Sequence, residues 1–159
     1  MYYELKSVYL DHAAATPLDP AVFKAMLPFF TDEFGNPSAL YKLGQGAHLA
    51  VEDARKKTAK VLGTNPENII FTSGGTEGNN LAIQGTIRAH ATVGKHIVAL
   101  GIEHPSVLEP LKEYALQGFD VTYVPVNKEG VVNVADVLAA INPGTILITI
   151  MYANNEIGS

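Results

Sequence analysis

From residue 68 onward the chain switches repeatedly between a short apolar run and a helix-period pattern, and this restricts the fold more than any other feature. "NIIFTS" (68–73) reads as a strand and "EGNNLAIQGTIRAHA" (77–91) as a helix. "KHIVALG" (95–101) is strand, and "PSVLEPLKEYALQ" (105–117) is helix, stopped by Gly118. "DVTYVPV" (120–126) is strand, "NVADVLAAI" (133–141) a short helix, and "TILITIM" (145–151) strand. Asn133 caps the short helix, with Asp136 three residues on, as in a capping box. "HIVAL" and "ILITIM" are nearly all apolar, which suits strands covered on both faces. Repeated β-α alternation predicts an α/β fold with an open, mostly parallel sheet and flanking helices.

The preceding third is less regular. "SVYL" (7–10) is a short β-like run. "LDPAVFKAMLPFF" (18–30) reads as a helix, with Asp19 as N-cap and Pro20 in the first turn. "GNPSALYKLGQG" (35–46) reads as an irregular loop. "AHLAVEDARKKTAKVL" (47–62) is helical, with Leu49, Ala50, Ala54, Val61 and Leu62 on roughly one side and Gly63 at its C-terminal stop.

Composition narrows the function. A formal charge of −5 with no basic block disfavours nucleic acid and a polybasic membrane surface. The absence of cysteine removes disulfides, thiolate metal sites and a cysteine nucleophile. The five histidines are scattered with no H-x-x-x-H pair, so no metal site is expected. G-x-S-x-G is missing, which leaves a Ser-His-Asp triad poorly supported. The N-terminus has no apolar signal core, no segment is long enough to span a bilayer, and a cytoplasmic location is expected by default.

Open α/β sheets bind ligands outside the carboxyl ends of their strands. Three such ends carry chemistry here. The first is "SGGTEG" (73–78), where glycines let the backbone approach a ligand and helix N–H groups attract phosphate. It is neither a Walker loop nor G-x-G-x-x-G, so a single phosphate suits it better than a nucleoside triphosphate. The alternative is a strand-to-helix turn with Thr76 as an ordinary N-cap. The second is "GIEHPSV" (101–107), where His104 could stack on a planar ligand or shuttle a proton, or simply bond a backbone carbonyl. The third is "YANNEIG" (152–158), whose asparagines could fix a phenolic oxygen or form an Asx turn. Together, a phosphate turn, a stackable ring and an amide match a flat, phosphorylated heteroaromatic cofactor.

"YLDHAAATPLDPAV", "FGNPSA", "FTSGGTEGNNLAI", "GIEHPSVLEPL" and "ANNEIGS" resemble, in order, the N-terminal part of cysteine desulfurases. These are class V aminotransferases, enzymes of fold type I that use pyridoxal 5′-phosphate (PLP). The resemblance runs from about Tyr9 to the end. It implies Gly75 and Thr76 as the phosphate cup and His104 as the residue that stacks on the pyridine ring and helps move protons. It implies Asn155 as the partner of the ring's 3′-oxygen, and His12, Ala13 and Asn36 as parts of the substrate mouth. The family commonly has histidine and arginine after "GNPS", where Tyr41 and Gln45 stand nearby here.

The implied reaction converts L-cysteine to L-alanine plus an enzyme persulfide, for iron-sulfur cluster or thionucleoside assembly. The family continues past Ser159 with an aspartate for the pyridine nitrogen, the lysine that anchors the cofactor, and a small domain carrying the persulfide cysteine. The expected organisation is therefore an N-terminal segment (1–20), an incomplete large domain (21–159) and no small domain. Such a chain is expected not to work alone, and its partners are the C-terminal remainder or a complementary chain. A homodimer is expected from the family. The alternatives are another class V enzyme, such as a selenocysteine lyase or aminotransferase, and a non-catalytic split or assembly partner.

Overall fold

The computed structural model describes residues 7–159. The chain forms two compact units, the first ending at Phe71 and the second running from Thr72 to Ser159.

The second unit holds an all-parallel sheet of three strands in the order β2-β1-β3. These are β1 (His96–Leu100), β2 (Asp120–Val124) and β3 (Thr145–Thr149). The helices are α4 (Gly75–His90), α5 (Pro105–Leu116) and α6 (Val134–Ala140). All five residues of β1 are buried. One face packs Ile97 and Ala99 against Ile83 and Ile87 of α4 and Val107 and Leu111 of α5. The other packs Val98 and Leu100 against Val124 and Val137 of α6. A strand with helices on both faces has no solvent side, which is why "HIVAL" carries no polar alternation. The same expectation fails for "ILITIM": Ile148 and Ile150 are more than 40% exposed. Among the described residues β3 pairs with β1 on one side only, which makes it a sheet edge.

Local signals position the helices. Asn133 caps α6, its side chain accepting from the Ala135 amide. Among the described residues no return bond from the Asp136 carboxylate completes a capping box. Gly118 follows α5 at φ +87°, where a side chain would be strained.

In the first unit, α1 (Pro20–Met26) is capped by Asp19, whose carboxylate accepts from the Ala21 and Val22 amides. Pro28 lacks an amide hydrogen, so the expected single helix is broken and α2 (Pro28–Thr31) follows. α3 (Lys42–Leu62) begins inside the stretch expected to be a loop and ends at Gly63, φ +65°. Gly44 explains the early start: a Cβ there would lie 2.5 Å from the Ala39 carbonyl oxygen, so glycine admits the loop against the helix. The buried positions of α3 are Gly44, Ala47 and Ala59, while Leu49, Val61 and Leu62 are exposed. The expected apolar side is thus uncovered within this unit.

Two expected strands do not form. Residues 7–10 and 68–73 make no ladder with any described residue. A strand needs a hydrogen-bonded neighbour, and an apolar run by itself supplies only half of one. No helix among the described residues is long and apolar enough to cross a membrane.

Candidate functional site

The turn before α4 differs from an ordinary capped helix start. The helix begins at Gly75, so its N-cap is Gly74, which has no side chain to offer, and Thr76 lies inside the first turn. This overturns the alternative of Thr76 as N-cap. The first backbone bond into the turn is Gly78 N–H to the Gly74 carbonyl. Among the described residues, the amides of Gly75, Thr76 and Glu77 have no acceptor. An added Cβ at Gly74 or Gly75 would meet no atom within 4 Å. Neither packing nor a positive φ requires these glycines, and the space above the helix start is open. Glu77, the acid of this turn, folds back: its carboxylate accepts from the Ser73 amide at 2.7 Å and hydroxyl at 2.6 Å. Those two bonds hold its carboxyl below the usual carboxylate value.

His104 is the N-cap of α5. Its Nδ1 accepts from the Ser106 amide at 3.0 Å and sits 2.8 Å from the Ser106 hydroxyl. The expected alternative, a bond to a backbone carbonyl, is therefore reversed: the ring accepts. Because a backbone N–H can only donate, Nδ1 is bare and the ring hydrogen sits on Nε2. The residue is exposed, leaving the ring available. Ser106 also receives the Asn79 side-chain amide at 2.8 Å, which ties α4 to the start of α5.

The two asparagines after β3 separate sharply. Asn154 is buried, and its amide donates to the Ile102 carbonyl at 3.0 Å while its oxygen accepts from the Glu156 and Ile157 amides. Asn155 is exposed and donates to the Glu156 carboxylate at 2.9 Å. The Asx turn weighed from sequence is made by Asn154, which leaves Asn155 at the surface. Glu103, also buried, accepts the Met151 amide. Burial raises its carboxyl above the ordinary value, with the Met151 bond acting in the opposite direction.

Thus α4 is bonded to the start of α5, and residues 102–103 are bonded to the chain leaving β3. Gly75, Thr76, His104 and Asn155 each lie within a few residues of one of these bonds. Asn79, Glu103 and Ser106, which do the tying with Asn154, escape sequence reasoning because none belongs to a spacing pattern. A groove of about 630 Å³ between α4 and α5 is lined by Thr76, Asn80, Gln84 and Arg88 at helical spacing, facing α5. His104 and Asn155 do not line it.

The remaining candidates belong to the first unit. His12 lies in a turn, its ring edge-on to Tyr9 at 5.2 Å, with exposed Ala13 beside it. Asn36 accepts from the Ser38 amide at 2.9 Å. Tyr41 precedes α3 without a side-chain cap, and Gln45 donates to the Leu40 carbonyl. Among the described residues no group of three or more His, Asp or Glu could hold a metal ion.

The family described as "Aminotransferase class-V" matches residues 8–159. The chain is 50% identical to the cysteine desulfurase IscS of Dictyoglomus turgidum, covering 97% of this chain and 39% of that protein. It is 49% identical to the cysteine desulfurase IscS of Methanosarcina thermophila, covering 98% and 39%. Among solved structures, a "NIFS-like protein" superposes with a TM-score of 0.91 at 39% identity, covering 95% of this chain and 42% of that one. "SspA in complex with cysteine" does so with a TM-score of 0.89 at 39% identity, covering 94% and 43%. The chain spans about two fifths of the length of these relatives. On the match over residues 8–159, the chain belongs to the class V aminotransferase family.

Proposed function

We propose that this chain is the cofactor-holding part of a PLP-dependent cysteine desulfurase. The observation that carries the reading is the start of α4, where the amides of three exposed residues have no acceptor and two glycines are unhindered. A phosphate monoester fits that arrangement: it takes several donors at once and is favoured by the helix dipole. PLP, when bound, supplies an electron sink for bond cleavage at an amino acid. The residues here hold and orient. The Gly75 and Thr76 amides and the Thr76 hydroxyl would bind phosphate. Ser73 takes up the Glu77 carboxylate, which reduces its repulsion of the anion. His104 would stack on the ring and hold or release a proton at Nε2. Asn155 would exchange its bond to Glu156 for one to the ring's 3′-oxygen.

L-cysteine is the proposed substrate, with alanine and a persulfide as products for iron-sulfur or thionucleoside assembly. The 159 residues contain no thiol, so the sulfur would be carried on a further polypeptide segment, as would the covalent anchor of the cofactor. A homodimer is the assembly this reading favours. Titrating the chain with PLP, followed by absorbance and fluorescence, tests the reading. Saturable binding that Thr76→Ala weakens at unchanged melting temperature supports it, and a wild-type chain that does not bind PLP refutes it. Sulfide release from cysteine, on mixing with a chain spanning the relatives' remaining length, tests the reaction.

A further inference from the structure

We propose that Ser106 and Asn79 are positioning residues, which hold His104 as the Nε2–H form and lock its ring to the phosphate turn; this rests on the cofactor-holding role above. The directions of the bonds carry the argument. The Ser106 amide donates to His104 Nδ1 at 3.0 Å, so Nδ1 bears no hydrogen. The Ser106 hydroxyl, 2.8 Å from the same nitrogen, must then be the donor of that pair. Its oxygen in turn accepts from Asn79 Nδ2 at 2.8 Å. The relay therefore has one polarity, from Asn79 through Ser106 to the imidazole. Ser106 is 9% exposed, so water competes weakly for these bonds. Asn79 stands three residues after Thr76 on α4, and His104 caps α5. Two side-chain bonds thus join the helix that would hold phosphate to the ring that would stack. Other N-caps in the chain, such as Asp19 and Asn133, bond only to the helices they start.

The experiment uses the 159-residue chain with ¹⁵N-labelled histidine. Ring nitrogen shifts of His104 are read by NMR, and PLP affinity by titration. Wild type is expected to show a bare, hydrogen-bonded Nδ1 and a hydrogen on Nε2. Ser106→Ala keeps the amide that caps α5, so the fold is retained. It is expected to move the Nδ1 shift toward that of a weaker bond and to weaken PLP binding roughly fivefold, about one neutral hydrogen bond. Ser106→Thr restores the hydroxyl and is expected to recover both readouts. Asn79→Asp can only accept, so it draws the Ser106 hydrogen away from the ring and is expected to reproduce the Ser106→Ala spectrum. Unchanged His104 shifts in both Ser106→Ala and Asn79→Asp overturn the proposal, as does a wild-type ring with its hydrogen on Nδ1. Failure of wild type to bind PLP refutes the cofactor reading instead and removes the functional half of this one, while the nitrogen shifts still decide the relay.

Discussion

The Glu103 carboxylate accepts the Met151 amide hydrogen at 2.6 Å, joining the residue beside His104 to the chain that leaves β3. Burial raises the Glu103 carboxyl above 4.5, so between that value and its raised folded-state value the folded chain binds more protons than the unfolded one. Its contribution to stability is present below 4.5 and lost as pH rises through the raised value. Glu77, lowered by Ser73, acts in the opposite sense: its contribution is present above 4.5 and lost as pH falls through its lowered value. Glu103→Gln keeps an acceptor for Met151 without the buried charge. It is expected to flatten the fall in stability above pH 4.5 and to be at least as stable as wild type at neutral pH. Glu103→Leu leaves the Met151 amide unpaired and is expected to cost about 1–3 kcal/mol. Urea melts across the pH range measure both.

Asn154 and Asn155 are adjacent yet predict opposite phenotypes. Asn154→Ala strips the Ile102 carbonyl of a donor and the Glu156 and Ile157 amides of their acceptor, at the one buried residue of the turn. The expected loss is about 1–3 kcal/mol of stability. Asn155→Ala is exposed and is expected to stay within about 0.5 kcal/mol of wild type, while weakening PLP binding. Melting temperature and PLP titration, run on both variants, separate the roles. A stability loss in Asn155→Ala as large as that in Asn154→Ala would contradict the division.

The same pair shows what a sequence discloses. "NN" at a strand end marks a polar turn, but which asparagine turns inward depends on a carbonyl 52 residues earlier, at Ile102. Caps are legible because their partners are two or three residues away, as for Asp19 and Asn133. The alternation of strand and helix is legible because each period is local, and three of the expected strands form where a neighbour pairs with them. "NIIFTS" misleads because pairing is not a property of the segment. For His104 the sequence marks the ring and the strand end. The Asn79–Ser106 relay that orients it links positions 27 apart, and no periodicity announces it.

Leu111 is fully buried against β1, whereas Leu116, five residues later on α5 and so on another face of the helix, is 83% exposed. Leu111→Ala is expected to cost about 2–5 kcal/mol and Leu116→Ala less than about 0.5 kcal/mol. Since α5 carries His104 at its cap, Leu111→Ala should also loosen PLP binding at temperatures where the unit still melts cooperatively. Equal costs for the two leucines, measured by denaturant titration, would mean that α5 does not pack on β1 as described.

The chain's nine lysines bear on where the proposed cofactor would be covalently anchored. Lys57 pairs with Asp53 and Lys112 with Glu109, both at 2.6 Å on exposed helix faces. Lys95 lies over the Phe119 ring just before the amino end of β1, the opposite end from His104. Every lysine among the described residues is exposed, whereas an anchoring amine is activated by a desolvated pocket. Lys112 has its pKa raised by its hydrogen bond to Glu109, which leaves it less free amine. Borohydride reduction after exposure to PLP, followed by peptide mass spectrometry, is therefore expected to find label spread over several lysines. Lys112 should be under-represented, and Glu109→Gln should raise its share. A single dominant adduct would place the anchor within these 159 residues and sink the proposal that another segment supplies it.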